Sequence, residues 1–242
     1  MIKKIFKCFF IYSLLFSTQA FSENIEIKAK IEQNFDKTVQ NVLNEASKQK
    51  FFLVEFTQSS FSLLRNKVTE SSGLLYIKKP YSFRYEILKP RNELYVSNGK
   101  DFWKYIESLK HAQYLKNSAQ ELGFINILTN LAQIKKYYIV SEWTDEEAKK
   151  LNHSANMSSL ESDIPPEKNN DYILLKLVPK GDKQQKVLYA RVQVKTGLIQ
   201  ELRIVQLNGN RIRLVFSNYS QKPISDDVFN FTPPQGIAVD KM

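Results

Sequence analysis

The feature that most constrains the fold is a long series of short segments in which apolar and polar residues alternate. They are rich in aromatic and β-branched residues and are separated by turn signals, a pattern that predicts β-strands. About eleven strands are expected, at Phe51–Phe61, Gly73–Lys79, Tyr81–Leu88, Glu93–Ser97, Asp101–Glu107, His111–Leu115, Tyr137–Trp143, Asp171–Val178, Lys186–Lys195, Leu198–Leu207 and Arg211–Tyr219. The sequence therefore predicts a mainly β fold.

Dipeptides typical of tight turns separate several of these strands. Asn98-Gly99 and Asn208-Gly209 are strong hairpin signals because both residues of each pair tolerate positive φ, and Thr196-Gly197 is a weaker one. Neighbouring strands should therefore pair antiparallel, as a meander.

Two stretches have the three-to-four-residue spacing of an amphipathic helix. The first runs from Ile25 to about Gln49, with the stripe Ile27, Ile31, Phe35, Val39, Val42, Leu43 and Ala46. The second is short and very apolar, with Leu122, Phe124, Ile125, Ile127, Leu128, Leu131 and Ile134. Both are expected to cover an apolar surface of the sheet.

Alternation assigns the strand residues to two faces. Tyr81, Phe83, Tyr85 and Ile87 share one face of their strand, and the residues between them share the other. The apolar face either forms a filled core with the helices or lines a cavity. Alternation does not distinguish these two structures.

The first 22 residues have the pattern of a secretory signal peptide. Lysines precede an apolar run that is followed by small residues: Lys3, Lys4 and Lys7, then Phe9–Phe16, then Ala20 and Ser22. The run is too short to span a bilayer as a helix. We expect an exported protein in which residues 23–242 form a single domain.

Cys8 is the one cysteine of the chain and precedes the apolar core of the signal. A lipid-modified cysteine would follow that core, so no lipid anchor is expected, and the mature chain should have no disulfide or cysteine metal site. The formal charge of +10 includes three signal lysines. The remaining basic charge suits anionic lipid or an acidic protein, whereas export argues against nucleic acid.

Residues 144–170 are rich in Ser, Asn, Glu and Lys, with Pro165-Pro166 near the end. We interpret them as a long solvated loop with a short helix at Asp145–Leu151. The loop either contacts a partner or is an insertion without a function that the fold tolerates.

Motifs of enzyme chemistry are missing from the sequence. It has neither the G-x-S-x-G nor the H-E-x-x-H pattern, and the seven glycines are scattered. Of the two histidines, His111 opens a predicted strand and His153 lies in the polar loop. The acidic pairs Glu146-Glu147 and Asp226-Asp227 lie in polar stretches. We therefore expect no catalytic residue, no cofactor and no metal.

Four segments carry a resemblance to a known family. They are Phe56-Thr-Gln58, Gly73-Leu-Leu-Tyr-Ile-Lys-Lys-Pro80, Tyr95-Val-Ser-Asn-Gly-Lys-Asp-Phe-Trp-Lys-Tyr105 and Phe229-Asn-Phe-Thr-Pro-Pro-Gln-Gly236. In this order they resemble the LolA family of lipoprotein carriers.

The resemblance implies an incomplete antiparallel β-barrel of eleven strands, closed by lid helices around an apolar cavity that holds acyl chains. It also implies a monomeric periplasmic carrier of acylated lipoproteins. Its partners would be an inner-membrane ABC transporter for loading and an outer-membrane lipoprotein receptor for unloading.

Strand parity and family position together suggest the residues of the cavity. The wall would consist of Leu75, Ile77, Phe83, Tyr85 and Ile87, and the cover of Val42, Ala46, Phe124, Ile127, Leu128 and Leu131. Lys79 stands where the family usually has arginine, whose side chain bonds to lid backbone. Lysine lacks the planar fork of donors, so we expect a less firmly latched lid. By parity, Arg84 points outward and is a poor substitute.

Three alternatives remain. The outer-membrane receptor of the same pathway shares the fold but is lipid-anchored. A periplasmic stress-sensing regulator with a similar half-barrel usually has a further domain. A lipid hydrolase would cleave a labelled lipopeptide instead of returning it intact.

Overall fold

The computed structural model describes residues 26–116, 123–144, 171–181 and 186–241. The expected signal peptide, most of the expected loop and His153 lie outside these residues. The first described element is helix α1, residues 26–48, where the apolar spacing predicted a helix. No helix among the described residues is both long enough and apolar enough to cross a membrane.

The described residues form two compact units, one of residues 26–41 and one that starts at Val42. In the first unit, the apolar stripe of α1 is exposed at Ile27 and Ile31. That these first turns cover apolar surface of the sheet stays a prediction. The stripe is buried from Val39 onward. That residues 23–242 form a single domain stays a prediction.

The expected mainly β fold is confirmed, since the second unit contains an open, mostly antiparallel sheet. Its strands in the described residues are β1 (Phe51–Ser62), β2 (Lys67–Lys78), β3 (Ser82–Lys89), β4 (Glu93–Asn98), β5 (Asp101–Ile106), β6 (His111–Lys116), β7 (Tyr138–Glu142), β8 (Tyr172–Pro179), β9 (Lys186–Gln193), β10 (Ile199–Gln206), β11 (Arg211–Ser220) and β12 (Ala238–Lys241).

The strand order in the sheet is β12-β6-β5-β4-β3-β2-β1-β11-β10-β9-β8-β7. Strands β1–β6 form one meander and β7–β11 a second, as the turn signals predicted. The two are joined where β1 pairs antiparallel with β11, with Phe56 opposite Phe216. Strand β12 was not expected; it pairs parallel with β6.

The three glycine turns all adopt the left-handed conformation that their sequences favour. Gly99, Gly197 and Gly209 have φ of 90°, 67° and 82°. Strand β2 begins at Lys67, six residues before its predicted start. Its first half is polar and does not show the alternation of a half-buried strand, yet its backbone pairs with β1 from Ser62 onward.

The second apolar stretch is helical, as expected. It comprises α2 (Gly123–Asn130), a 3₁₀ turn (Leu131–Gln133) and α3 (Ile134–Tyr137). Its large apolar residues from Phe124 to Ile134 are buried, whereas Ala132 is half-buried and Asn126 is exposed. This stretch is therefore surrounded by other groups on most of its circumference.

A C-terminal segment, residues 226–231, covers the face of β3–β5 on which Arg84 lies. Phe229 is buried at the end of a 3₁₀ turn (Asp226–Phe229), and Arg84 donates from Nη1 to the Val228 carbonyl at 3.3 Å. The Phe231 ring lies 5.8 Å from Trp103 and 5.5 Å from Tyr105. Two of the segments that carry the family resemblance thus pack against each other.

Candidate functional site

A row of buried, mostly apolar side chains crosses strands β1–β5 on the face opposite Arg84, which we call the inner face. The strand register aligns Phe52, Ile77, Phe83, Ser97 and Phe102. All five side chains are buried, and the Phe83 and Phe102 rings lie 5.8 Å apart. This row is nearest to the end of the sheet at which β2 turns into β3.

A second row lies one pleat further along and contains two more of the predicted wall residues, Leu75 and Tyr85. Val54, Leu75, Tyr85 and Tyr95 are aligned, and the first three are buried. Ile87 lies one pleat beyond, opposite Gly73, and is only half-buried. Leu75, Ile77, Phe83 and Tyr85 therefore form one buried patch, with Ile87 at its margin.

Tyr85 is the centre of an aromatic cluster on this face. Its ring stacks on Phe56 at 4.6 Å, lies 5.9 Å from Tyr95 and meets the edge of Phe124 at 5.4 Å. Its hydroxyl donates to Gln58 Oε1 at 2.9 Å. Burial, reinforced by Tyr95 and Glu93, raises the pKa of Tyr85 far above its ordinary value. The hydroxyl is therefore neutral, and the patch carries no anion at Tyr85.

The predicted cover residues are all buried. They are Val42 and Ala46 in the last two turns of α1, Phe124, Ile127 and Leu128 in α2, and Leu131 in the 3₁₀ turn. The edge contact between Phe124 and Tyr85 joins this cover to the wall. In this conformation the apolar groups of cover and wall shield one another from water.

Lys79 links the turn after β2 to the end of α1. Its Nζ donates to the backbone carbonyl of Ala46 at 2.8 Å, and its backbone N–H donates to the Lys50 carbonyl at 2.8 Å. The Ala46 carbonyl also accepts from the Gln49 backbone N–H at 3.3 Å, and a cation near the carbonyl end of a helix interacts favourably with the helix dipole. Burial lowers the pKa of Lys79 to about 8. Arg84, as expected, is on the opposite face, where its Nε donates to Glu86 Oε1 at 2.6 Å.

A second contact holds the same end of α1 from the other meander. The β9–β10 turn approaches so closely that a Cβ on Gly197 would lie 2.3 Å from the Ala46 backbone nitrogen. The adjacent Thr196 carbonyl accepts from Gln49 Nε2 at 3.1 Å. Ala46 is thus held between Lys79 and Gly197.

Sequence reasoning missed several residues of this face, notably Phe52, Phe56, Gln58 and Phe102. The alternation within Phe51–Gln58 places Phe52, Phe56 and Gln58 on one face and could have identified them. Gln58 accepts a hydrogen bond from the Tyr85 hydroxyl, and periodicity does not reveal that contact.

Two polar contacts hold the C-terminal residues Asp226 and Asp240 to the sheet. His111 Nε2 lies 2.9 Å from Asp240 Oδ2, which ties β6 to β12. Asp226 pairs with Lys78 at 2.5 Å on the surface. Within the described ranges, no three His, Cys, Asp or Glu side chains come together in a way that could hold a metal ion.

Comparison with known proteins agrees with these features. The family model "Outer membrane lipoprotein carrier protein LolA" matches residues 47–161 and 149–232. An outer-membrane lipoprotein carrier protein of Photobacterium profundum is 24% identical over 78% of this chain and 82% of its own. One from Sodalis glossinidius is 23% identical over 95% of this chain and 94% of its own.

Two solved structures match this chain at low similarity. A LolA superfamily protein from Nitrosomonas europaea is 14% identical, with 80% of this chain and 97% of the other covered and a TM-score of 0.42. The Mycobacterium tuberculosis lipoprotein LppX is 9% identical, with 81% and 99% covered and a TM-score of 0.42. The family match spans most of the chain, and this protein belongs to the LolA family of outer membrane lipoprotein carrier proteins.

Proposed function

We propose that this protein is a periplasmic, monomeric carrier that binds the acyl chains of lipoproteins and performs no catalysis. It receives them from an ABC transporter of the inner membrane and delivers them to a lipoprotein receptor of the outer membrane. The observation that carries the proposal is the buried apolar patch of Leu75, Ile77, Phe83 and Tyr85 beneath a helical cover. Family membership and the carrier names of the relatives support it.

The need for such a patch follows from the hydrophobic effect. Three acyl chains hold roughly 45 methylene groups, and each costs about 0.8 kcal/mol when exposed to water. Unshielded passage between two membranes would thus cost some tens of kcal/mol. A carrier must provide nearly as favourable an environment as a bilayer, yet it must still release its cargo.

A cover that packs on the wall in the empty protein meets both requirements. Cargo then has to displace the cover, so the net gain on binding is smaller than the gross burial of the acyl chains. The contacts that cargo must break are those described above, between Phe124 and Tyr85 and between Lys79 and Ala46. We therefore expect these two contacts to be absent in the loaded form.

Photolabelling tests the proposal without a mutation. A triacylated lipopeptide with a diazirine near the end of one acyl chain should label inner-face residues such as Leu75 and Tyr85, as located by mass spectrometry of fragments. Tyr76, which lies between inner-face residues on β2 and points to the other face, is the internal control. Equal labelling of Tyr76 and its inner-face neighbours, or a hydrolysed lipopeptide, would contradict the proposal.

Replacing Lys79 with arginine should weaken cargo binding at neutral pH by about tenfold or more. The guanidinium is more weakly hydrated than an ammonium and has more donors for the end of α1, so the closed form becomes more stable. A single added charge-assisted hydrogen bond contributes about 1.5–3 kcal/mol at most. Titration with a fluorescent lipopeptide checks this, with Lys100→Arg as the control at an exposed turn. Unchanged affinity and unchanged transfer to the receptor would show that Lys79 is not a latch.

A further inference from the structure

Two adjacent hairpin turns expose leucines at one end of the sheet. Leu63 and Leu64 lie in the β1–β2 turn and are 53% and 95% exposed, and Leu207 in the β10–β11 turn is 79% exposed. We call residues 63–66 and 207–210 together the leucine tip. Exposure of clustered leucines to water has an unfavourable free energy, so such a cluster commonly marks a contact surface.

The two turns form a defined structure. The Leu63 backbone N–H donates to Asn210 Oδ1 at 3.0 Å, and a Cβ on Gly209 would lie 2.5 Å from Leu63 Cδ2. Within the turns, Asn66 N–H donates to the Leu63 carbonyl at 3.2 Å and Gly209 N–H to the Gln206 carbonyl at 3.0 Å. Backbone and side-chain bonds thus hold the leucines outward.

A groove of about 270 Å³ adjoins the two turns, with Arg65 of one and Asn210 of the other in its lining. The lining combines the cations Arg65, Lys67 and Arg211 and the hydroxyls of Ser60, Ser62 and Thr69 with apolar and amide side chains, those of Phe61, Ile212, Gln206 and Asn210. No acidic residue occurs at positions 56–69 or 202–225, the segments that contain both turns. Guanidinium, ammonium and hydroxyl groups are the donors that recognise phosphate.

We propose that the leucine tip docks this protein on the surface of an anionic phospholipid bilayer. The cationic groove faces the lipid phosphates, and the leucines enter the boundary between headgroups and acyl chains. Protruding aliphatic side chains with adjacent cations suit a bilayer better than a protein partner, because protein interfaces concentrate Tyr and Trp at their centres. The three exposed apolar residues of the tip are all leucine.

The tip is separate from the acyl-chain site. Lys79 and Ala46 lie at the end of the sheet where β2 turns into β3, whereas the tip lies at the opposite end of β1. Strand β1 has 12 residues, so roughly 35–40 Å separate its two ends. Docking at the tip therefore goes beyond cargo binding and leaves the part of the inner face next to Lys79 available.

Flotation of the cargo-free mature protein with vesicles tests the proposal. The wild type should float with vesicles of phosphatidylethanolamine and phosphatidylglycerol, should stay in solution with phosphatidylcholine vesicles, and should dissociate as salt rises. Leu64→Ser with Leu207→Ser, and separately Arg65→Gln with Lys67→Gln, should each lower partitioning on the order of tenfold. Thermal unfolding of these variants should match that of the wild type.

Matched controls lie at the other end of the sheet. Lys100→Gln with Lys195→Gln removes two exposed cations there, and Tyr81→Ser removes an exposed apolar side chain. Both should partition like the wild type. The proposal is overturned if the wild type ignores anionic vesicles, if the tip and control variants behave alike, or if the tip variants lose only a protein partner. Lipopeptide binding should be unchanged in the tip variants, so failure of the carrier proposal would leave this result interpretable.

Discussion

Gly197→Ala should destabilise the protein by about 2–4 kcal/mol, with loss of the contact between the β9–β10 turn and the end of α1. An alanine at a φ of 67° pays for left-handed strain, and its Cβ would lie 2.3 Å from Ala46 nitrogen. The overlapping atom belongs to backbone, so no side-chain rotation relieves it. The expected fall in the midpoint of thermal unfolding is about 4–16 °C.

Gly236→Ala is the matched control for this prediction. Gly236 has a φ of 80°, but nothing lies within 4 Å of a Cβ placed on it. That variant should lose only the conformational term, about 1 kcal/mol. In Gly197→Ala, and not in Gly236→Ala, an apolar dye should also gain access to the inner face. Equal destabilisation of the two variants would mean that the close approach to Ala46 has no consequence.

Raising the pH from 7 to 9.5 should weaken cargo binding, on the order of tenfold. In the closed form burial lowers the pKa of Lys79 to about 8, whereas a lysine in water titrates near 10.5. At a pH between these two pKa values, Lys79 has lost its proton in the closed form but keeps it in an open form. Loss of protons therefore favours the closed form, and cargo has to displace a more stable cover. By the same linkage, the folded protein becomes more stable relative to the unfolded chain as pH rises through this window.

The measurement is a series of lipopeptide titrations between pH 7 and 10, with a peptide part that has no titratable group. Lys79→Arg is the discriminating variant, because arginine stays charged throughout this range. Its affinity should be flat with pH. An equal pH dependence in the wild type and in Lys79→Arg would assign the effect to other groups and contradict the prediction.

Much of the inner face follows from the sequence, because side chains of a strand alternate between two faces whatever the strand pairs with. This local rule, combined with family position, placed Leu75, Ile77, Phe83 and Tyr85 together, and the structure has all four buried on one face. Ile87 obeys the same parity but is half-buried, because the extent of covering depends on what lies above each pleat. Strand parity predicts the face to which a side chain points, but it does not predict how far that side chain is buried.

Contacts between distant segments were beyond the sequence patterns. Three contacts join segments whose local sequences do not specify one another. They are the pairing of β1 with β11, the packing of Phe231 against Trp103 and Tyr105, and the hydrogen bond from the Tyr85 hydroxyl to Gln58. The same applies to the exposed first turns of α1, since an apolar stripe predicts a helix and not the surface that covers it.

The sequence by itself determined the positions of most strands, the glycine turns between them and the face to which each side chain points. These properties depend on backbone dihedral preferences and on a two-residue period, which act over a few residues. Only the tertiary structure decided that Ala46 lies between Lys79 and Gly197, and that the turns with Leu64 and Leu207 are neighbours. Those contacts result from the register of the whole sheet, which is selected by the total apolar surface buried and not by any single segment.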